Sequence, residues 1–440
     1  MKPAFLALSC LLAACAEPAR LDPLLLDDAD RRFAPRTEAR KPSRTAELLA
    51  REELTLAEVL EIADALNPRL EIERRNIDLA SAAIWEARLY PNPSVRLSVE
   101  EAPTGGSIGE SKRVVGLRFP VAIGGRIGAA TAAAEKERDV AAVHYVWARR
   151  EILTEVKRAF IEVLASRRNL ELARVTRDIA KASYDVTNER FKAQAVPEME
   201  LLKAAVTQAK AETDVKLAEK SAAVAIKSLH AQMGNVDFPR ERFVGDLVTR
   251  FTAPSFETLR GLVTASHPLL EEATRQREAA ELQASLVRAE RIPDIDIELS
   301  AGRNGEHETI VEGGIEIPLP LFNRNQGRIL AADIRVRQAE LQIAVVRNEL
   351  ILKLTEAYGN FTAAQDRVTV YKDEILPKAR TALDQTNDGY ALGKFSYLDQ
   401  LDAQRTLAEA SFASVAALSD LNLAAIELEK LTGLKLEPIR

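Results

Sequence analysis

Two carboxylates near the carboxyl end of the chain, Asp399 and Asp402, have a spacing that could do chemistry. They follow a turn at 392–394 and lie three residues apart, so a helix that begins there carries both on one face. Carboxylates held this close repel one another, and hydrogen bonds, ion pairs or bound cations must balance them. The alternative is that a carboxylate in a first helical turn only complements the helix dipole. On the residue pattern alone, this second interpretation is preferred.

Other residue types that often carry chemistry are scattered along the chain. The histidines are His144, His230, His267 and His307. Dozens of residues separate each from the next, so the sequence predicts no metal-ligand cluster. The Gly-Gly pairs at 105–106, 124–125 and 313–314 lack the strand–glycine–helix context of a nucleotide-binding loop, and no Ser/His/Asp or Cys/His grouping has local support. We therefore predict a protein that is not an enzyme and has no cofactor and no resident metal.

The composition is that of a mainly helical protein. The 440 residues include 60 Lys and Arg against 66 Asp and Glu, a formal net charge of -6, with the two signs interleaved. A chain without a basic block is a poor candidate for binding nucleic acid. Aromatic residues make up only 5%, while alanine and unbranched side chains, which lose little entropy in a helix, are abundant. After the N-terminus no run reaches the roughly 18 consecutive apolar residues of a spanning helix, so any membrane crossing must use strands.

The N-terminus is typical of an exported protein. An apolar run ends in Leu12-Ala13-Ala14-Cys15, which resembles a bacterial lipoprotein signal whose cysteine is acylated. An ordinary secretory signal, in which this cysteine has no role, is the alternative. We predict a signal peptide at 1–14, a lipid on Cys15 and, because the next residue is Ala16, sorting to the outer membrane. Prolines among mixed charges predict an extended, lipid-anchored strap at 15–50.

The sequence contains an internal duplication of about 200 residues. Asn67-Pro68 and His267-Pro268 lie 200 residues apart, and a register at offsets of 198 to 200 continues as far as Met233-Gly234 against Thr432-Gly433. So many matches at one offset indicate that one structural unit occurs twice. The predicted repeats occupy 51–240 and 250–434, and a C-terminal tail follows at 435–440.

Each repeat is predicted to contain two short helices, a β-hairpin and two long helices. The hairpins are placed at about 94–121 and 293–320, where apolar residues alternate over about 8 to 10 positions, the length that a tilted strand needs to cross a bilayer. The long helices are placed at about 128–194 and 197–233 and at about 327–391 and 396–431. At 1.5 Å per residue, the first of them would be about 100 Å long.

Helices of this length cannot surround a compact core, so their apolar positions must be buried side by side against neighbouring helices. Two hairpins give four strands, which cannot close a barrel alone. Three chains would supply twelve strands for one closed barrel and twelve side-by-side helical segments for a tunnel beneath it. We therefore predict a mainly α fold with a small transmembrane β part, in which a trimeric 12-stranded β-barrel is continuous with a long α-helical periplasmic barrel.

One face of the predicted hairpins is acidic. If the apolar positions face lipid, the alternate positions face the lumen. These are Asp294, Asp296, Glu298, Glu312, Glu316 and Glu100, opposed by Arg96 and Arg118. Six acids and two bases leave a net charge of -4 per chain, which would raise the local concentration of cations. Any water-filled lumen needs a polar lining, but that general need does not explain the negative sign.

The duplicated plan resembles the TolC family of outer-membrane factors, over essentially all of 54–434. The string IPLPLFNRNQGR at 317–328 is similar to the strand-to-helix junction of its CzcC-like, heavy-metal branch. The string YALGKFSYLDQLDAQ at 390–404 is similar to the periplasmic turn and the start of the last long helix. The first repeat departs from the pattern, because its tip at 191–197 contains no glycine, and the two tips are expected to bind their partner differently.

The resemblance implies an outer-membrane channel that passively conducts substrate in a tripartite efflux pump. Its expected partners are two further copies of the chain, outer-membrane lipid, a periplasmic adaptor and a proton-driven inner-membrane transporter of the RND type. The resemblance also implies that Asp399 and Asp402 form the periplasmic entrance gate and that the adaptor docks on the helical tips. The tip residues are Ala195, Val196 and Pro197, and Leu392, Gly393, Lys394, Phe395 and Ser396.

The substrate and the class of protein each leave an alternative open. Transition-metal cations are favoured by the branch resemblance and the acidic face, with multidrug or antibiotic export as the alternative. A periplasmic coiled-coil adaptor or scaffold lipoprotein would share the long helices and the lipoprotein signal. Such a scaffold would not need two hairpins with apolar alternation of lipid-spanning length.

Overall fold

The computed structural model describes residues 42–100, 111–234 and 243–439. The predicted signal peptide, Cys15 and most of the predicted strap lie outside these ranges, as does the connection of the first hairpin. The chain divides into a unit at 1–47 and a larger unit at 48–440. The elements that follow belong to the larger unit, apart from most of the first helix.

The prediction of an extended strap up to residue 50 was wrong at its end. Residues Pro42–Leu49 form helix α1, and Leu48 is buried in the hydrophobic core. The prolines of this region were interpreted as extended-chain residues. Pro42, however, stands at the first helical position, where its missing N–H would have no intrahelical partner in any case.

The first repeat folds as two short helices, a pair of strands and two long helices. In chain order the elements are β1 (Leu54–Thr55), α2 (Leu56–Leu66), α3 (Pro68–Ala87), β2 (Ser94–Glu100), β3 (Lys112–Val121), α4 (Arg126–Lys192) and α5 (Glu198–Met233). A capping box between Thr55 and Glu58 begins α2. Asn67 caps α3, whose first residue is Pro68. Helix α5 ends at Gly234, which has the left-handed φ of 110° that favours glycine.

The second half has the same order of elements, preceded by two short strands. They are β4 (Phe243–Val244), β5 (Phe251–Thr252), α6 (Phe256–Ser266), α7 (Pro268–Ala289), β6 (Ile295–Arg303), β7 (Thr309–Glu316), α8 (Gln326–Val370), a π-helical turn (Tyr371–Ile375), α9 (Leu376–Ala391), α10 (Tyr397–Thr432) and β8 (Glu437–Pro438). The helix predicted at 327–391 is thus divided by the π turn. Pro377 lies just after it, and a proline has no N–H for the helical ladder and crowds the preceding turn.

Two hydrophobic clusters hold the long helices side by side. In the first, Val156 and Phe160 of α4 pack with Ile62 of α2 and Leu229 of α5. In the second, apolar residues of α6, α8 and α10 pack together, among them Val263, Leu354, Leu421 and Leu428. Burying large apolar side chains of this kind contributes about 1.5–3 kcal/mol each. The core therefore lies between the helices of each half, as the side-by-side packing argument requires.

Helix α10 is, among the residues that the structure describes, the one helix long and apolar enough to cross a membrane by length and composition. Its apolar residues Ala417, Leu421 and Leu428 are buried in the second cluster. Part of its apolar surface is therefore buried in packing against α6 and α8.

Short strand pairs join the ends of the repeats. β1 pairs in parallel with β4, and β5 pairs antiparallel with β8. Within the C-terminal tail predicted at 435–440, Glu437–Pro438 form β8 and Leu436 is buried in the second cluster. The sequence signal for such two-residue strands is too short to recognise, because alternation over two positions has no measurable period.

The two hairpins join into one antiparallel sheet with the strand order β2-β3-β6-β7. β3 and β6 pair at its centre, from Arg113 opposite Arg303 to Val121 opposite Ile295. Within the described part of the chain, β2 and β7 each pair on one side only and form the two edges. One face of the sheet carries exposed apolar side chains. They include Val95, Leu97, Val99, Val115, Phe119, Ile297, Leu299, Val311 and Ile315.

Candidate functional site

The register of the sheet brings the predicted acidic residues together on the face opposite the apolar one. Asp296 lies opposite Glu316, and Glu298 lies opposite Arg118. Because side chains alternate along a strand, residues at these paired positions point to the same side of the sheet. The sequence prediction of which residues share a face therefore agrees with the observed pairing.

Basic side chains neutralise much of this face. The guanidinium of Arg118 lies 2.5 Å from Glu298, 3.3 Å from Glu316 and 3.8 Å from Asp296. The ammonium of Lys112 lies 2.7 Å from Glu312 of β7 and 3.6 Å from Glu100 of β2. Each base thus joins carboxylates that belong to different strands.

The sequence analysis missed two bases that contact these carboxylates, Lys112 and Arg126. Lys112 is the first residue of β3 and lies on the same face as the acids, opposite Glu100. Arg126, the first residue of α4, contacts Asp294 at 2.7 Å. On the strands, this face carries five carboxylates and the three bases Arg96, Lys112 and Arg118, while Asp294 and Arg126 pair just beyond them. The formal net charge is therefore -2 per chain instead of the predicted -4. The alternation of side chains, extended backwards by even steps from Arg118, is the signal that could have revealed Lys112.

The predicted helical tips lie at the turns between α4 and α5 and between α9 and α10. In the second tip Gly393 has a left-handed φ of 70°, and in the first tip Gln194 has a φ of 56°. A residue with a Cβ atom adopts this conformation at a cost of roughly 1–2 kcal/mol. The turn that glycine makes in the second tip is thus made by glutamine in the first.

The tip residues present different surfaces to solvent. Leu392 is 70% and Phe395 is 48% exposed, and the ring of Phe395 lies over Gly389, which has no side chain to block it. In the first tip, Ala195 and Pro197 are exposed and Val196 is partly buried. The second tip therefore offers large apolar side chains where the first offers small ones.

The two predicted gate aspartates differ in their surroundings. One oxygen of the Asp399 carboxylate accepts hydrogen bonds from the Ser396 backbone N–H at 2.9 Å and from its hydroxyl at 2.7 Å. The Ser396 hydroxyl accepts in turn from the Asp399 N–H, which completes a capping box at the start of α10. These hydrogen bonds lower the pKa of Asp399. Asp402 is exposed one turn further on.

A polar and aromatic contact that the sequence did not reveal joins the two tips within one chain. The Arg190 guanidinium, near the end of α4, lies 4.4 Å from the ring centroid of Tyr390 and donates to its carbonyl oxygen at 3.1 Å. The ring of Tyr390 packs against Tyr397 at 6.1 Å. Burial raises the pKa of the Tyr397 hydroxyl. The last turns of α4 and α9 and the first turn of α10 are therefore held together next to the tips.

The histidines do not form a cluster in the structure. Over the described ranges, no group of three or more His, Cys, Asp or Glu side chains is placed to hold a metal ion. His144 lies 3.2 Å from Glu272. His267 is 2% exposed, and its Nδ1 accepts from the Leu269 N–H at 3.2 Å as the cap of α7. Burial, and then the positive charge of Arg150, lower the pKa of His267 to about 4.

Long paired helices are attached to a four-stranded sheet with one apolar and one charged face, and an exposed apolar face of this kind is typical of a surface that contacts a membrane or another protein. The family model named Outer membrane efflux protein matches residues 59–235 and 259–434. The chain belongs to this family, and it is an outer-membrane efflux channel. Because the match includes both hairpins and both long-helix pairs, the alternative of a periplasmic scaffold is wrong.

Two curated relatives confirm the predicted branch of the family. The chain is 28% identical to the cobalt-zinc-cadmium resistance protein CzcC of Cupriavidus metallidurans over 381 residues, which cover 86% of this chain and 90% of the relative. It is 25% identical to the nickel-cobalt-cadmium resistance protein NccC of Alcaligenes xylosoxydans xylosoxydans, with 69% and 70% covered. Among solved structures, CusC matches with a TM-score of 0.70 at 17% identity, covering 86% of this chain and 91% of CusC. That last likeness concerns the fold.

Proposed function

We propose that three copies of this chain close a 12-stranded β-barrel in the outer membrane, continuous with a barrel of long helices in the periplasm. The observation that carries the proposal is the four-stranded antiparallel sheet, which has one apolar face and an edge strand on each side. In a bilayer, every backbone N–H and C=O must be paired, and only a closed sheet achieves this with strands. Three sheets of four strands supply the closure that one chain lacks.

The apolar face has the composition of a lipid-facing surface. Val95 is 66%, Leu97 is 77% and Val311 is 78% exposed, and exposing such a patch to water would be unfavourable. The strands have 7 to 10 residues, close to the roughly 9–11 that a tilted strand needs to cross a membrane. In this arrangement the acidic face lines the lumen, and the two repeats of each chain occupy equivalent places around the barrel.

The helical ends opposite the sheet serve as the docking point for a periplasmic adaptor, which connects the channel to an inner-membrane transporter of the RND type. The exposed Leu392 and Phe395 of the second tip, together with the small residues of the first, suit contact with another protein. Asp399 and Asp402 then recur three times around the axis and form the entrance. A lipid on Cys15 adds a second attachment to the outer membrane.

The proposed substrates are divalent transition-metal cations. The names of the two relatives specify resistance to cobalt, zinc, cadmium and nickel. The sheet face that would line the lumen carries five carboxylates against three bases, and a net negative lining raises the local concentration of cations. The channel itself supplies no energy, so conduction through it is passive.

Two measurements test this function. The first is the mass of the protein in mild detergent by light scattering, where a trimer is expected and a monomer with intact helices would contradict the assembly. The second is the growth of a deletion strain on cobalt, zinc, cadmium and nickel salts, compared with a panel of antibiotics. Sensitivity to metals, restored by the wild-type gene, supports metal export. Sensitivity to antibiotics alone would instead assign the channel to multidrug efflux.

A further inference from the structure

An arginine on the charged face of the sheet has no ion-pair partner among the residues of its own chain that the structure describes. Arg96 lies on the edge strand β2, opposite Gly116, and its side chain is exposed. Among the described residues, no carboxylate lies within ion-pair distance of it, whereas Arg118 on the next strand contacts three. Arg96 therefore lies exposed on an edge strand, and no described carboxylate balances its charge.

The opposite edge of the same sheet carries carboxylates with room beside them. Glu312 and Glu316 lie on β7 and are 51% and 61% exposed. Gly314 stands between them on the same face, and a Cβ atom placed on it would meet nothing within 4 Å. The charged face of this edge thus has two acids flanking an open space that a long side chain could enter.

We propose that Arg96 of one chain forms an intersubunit ion pair with the β7 carboxylates of its neighbour, Glu312 and Glu316, across the seam where two sheets meet. This inference rests on the trimeric barrel proposed above. β2 and β7 are the edges that must meet when copies of the sheet close in order, and the strand directions make that pairing antiparallel. An unpaired base on one edge and exposed acids on the other are complementary.

The alternation of side chains restricts the register of this seam. A shift by one residue would place the apolar face of one chain beside the charged face of the next, so only even shifts keep both faces continuous. With Arg96 opposite position 312, 314 or 316, a glutamate on β7 is either directly opposite or diagonal to it. Both positions are within reach of a long side chain. Arg118 shows a longer reach, since it contacts Glu316 across the whole of β6.

Because β7 contains glycines, side-chain packing alone would specify the strand register at this seam only weakly. β7 carries Gly313 on its apolar face and Gly314 on its charged face. Glycine offers no side chain to interlock with a neighbouring strand, and glycine-rich strands have weakly specified registers. A guanidinium paired with Glu312 or Glu316 limits the seam to the few registers that keep this contact, which the glycines alone would not do.

Cysteine cross-linking tests the position of the seam. In separate full-length proteins, Arg96→Cys is combined with Glu312→Cys, Gly314→Cys or Glu316→Cys and oxidised in detergent. Facing residues of antiparallel strands have Cα atoms about 4.5–5.5 Å apart, which suits a disulfide. We expect one of these pairs to give covalent trimers on non-reducing gels. The controls are each single variant and Arg96→Cys with Ile315→Cys, a pair on opposite faces, none of which should cross-link in this way.

Neutralising the charges tests the ion pair itself. Arg96→Gln should lower the temperature at which the trimer dissociates in SDS by several degrees, and added salt should reduce this difference. Arg113→Gln is the matched control, because Arg113 is also exposed in the sheet but lies on a central strand and the other face. Combining Arg96→Gln with Glu312→Gln or Glu316→Gln should cost less than the sum of the single changes.

The possible results separate this inference from the proposed assembly. A monomeric wild-type protein with intact helices overturns the barrel and the seam together. A stable trimer that fails to cross-link at all three positions overturns the seam alone. If Arg96→Gln and Arg113→Gln change the dissociation temperature of the trimer equally, the ion pair is overturned.

Discussion

The carboxylate of Asp399 accepts two hydrogen bonds from Ser396, at 2.9 Å from its N–H and 2.7 Å from its hydroxyl. The proposed gate residue therefore also caps the helix that carries it. Asp402 lies one turn further along α10 and remains exposed. The two aspartates thus combine a structural role and an exposed negative charge, and variants can separate these roles.

Block of the channel by a trivalent cation tests the gate. If three copies of Asp399 and Asp402 surround a narrow entrance, six carboxylates must be balanced by bound cations or hydrogen bonds. Replacing both with alanine should weaken block from the periplasmic side of a planar bilayer by about tenfold or more. Asp402→Ala alone should relieve much of the block, since it leaves the capping box intact.

Asp214→Ala, an exposed acid in the middle of α5, is the control for that experiment and should leave block unchanged. Equal block in the double variant and the wild type would show that the two aspartates are ordinary residues of a helix start. Loss of the Asp399 cap should also lower the unfolding temperature, which Asp402→Ala should not do.

The buried His267 should make stability depend on pH. Its pKa is lowered to about 4 because burial disfavours the charged form, whereas in the unfolded chain it is about 6.5. The unfolded chain therefore binds more protons, so this contribution to stability is complete above pH 6.5 and is lost as the pH falls towards 4. The loss is on the order of 3 kcal/mol per chain.

His267→Asn should flatten this dependence while keeping the helix cap. Asn67 performs the same capping role in the first repeat, where its Oδ1 accepts from the Arg69 N–H at 2.9 Å. Unfolding temperatures between pH 7 and 4 provide the measurement, and His307→Asn, at an exposed hairpin position, is the control. An equally steep fall in His267→Asn and wild type would assign the pH dependence to other groups.

Two glycines should respond in opposite directions to alanine. Gly234 has a φ of 110°, and a Cβ atom there would lie 3.0 Å from the Leu66 carbonyl oxygen, so Gly234→Ala should destabilise the chain by at least about 1–2 kcal/mol. Gly261 lies within α6, where a Cβ atom would meet nothing within 4 Å. Gly261→Ala should stabilise by roughly 0.5–1 kcal/mol. Thermal unfolding of the two variants checks both signs, and a shift in the same direction would contradict this account.

Cys15 remains a prediction from the sequence, because it lies outside the described residues. Wild-type cells grown with a palmitate analogue should label the protein, and Cys15→Ser should abolish the label. Cys10→Ser is the control, since that residue belongs to the predicted signal peptide and should leave labelling unchanged. Labelling that survives Cys15→Ser would rule out this attachment point.

The regular elements of the fold followed from the sequence because their signals are long. The helix predicted at 128–194 is observed at Arg126–Lys192, and the one predicted at 396–431 at Tyr397–Thr432. Over tens of residues, composition and the absence of helix breakers leave little ambiguity. The π turn before Pro377 was missed because a proline can either end a helix or distort it, and packing on both sides decides which occurs.

The site was less predictable because its properties depend on pairs of residues distant in sequence. The sharing of one face by Asp296 and Glu298 follows from alternation within a strand. The ion pair of Lys112 with Glu312 depends on which strands lie side by side, which the sequence does not specify. The left-handed Gln194 was likewise missed, since only the observed turn shows that glutamine takes the place of a glycine.

Conductance across a planar lipid bilayer tests the central claim most directly. Purified trimers should insert and produce discrete current steps, small in the wild type and larger when Asp399 and Asp402 are both replaced by alanine. Discrete steps from both proteins, with the larger steps in the variant, are the result that an outer-membrane conduit gated at its periplasmic end predicts. Intact, helical protein that produces no steps in either form would contradict it.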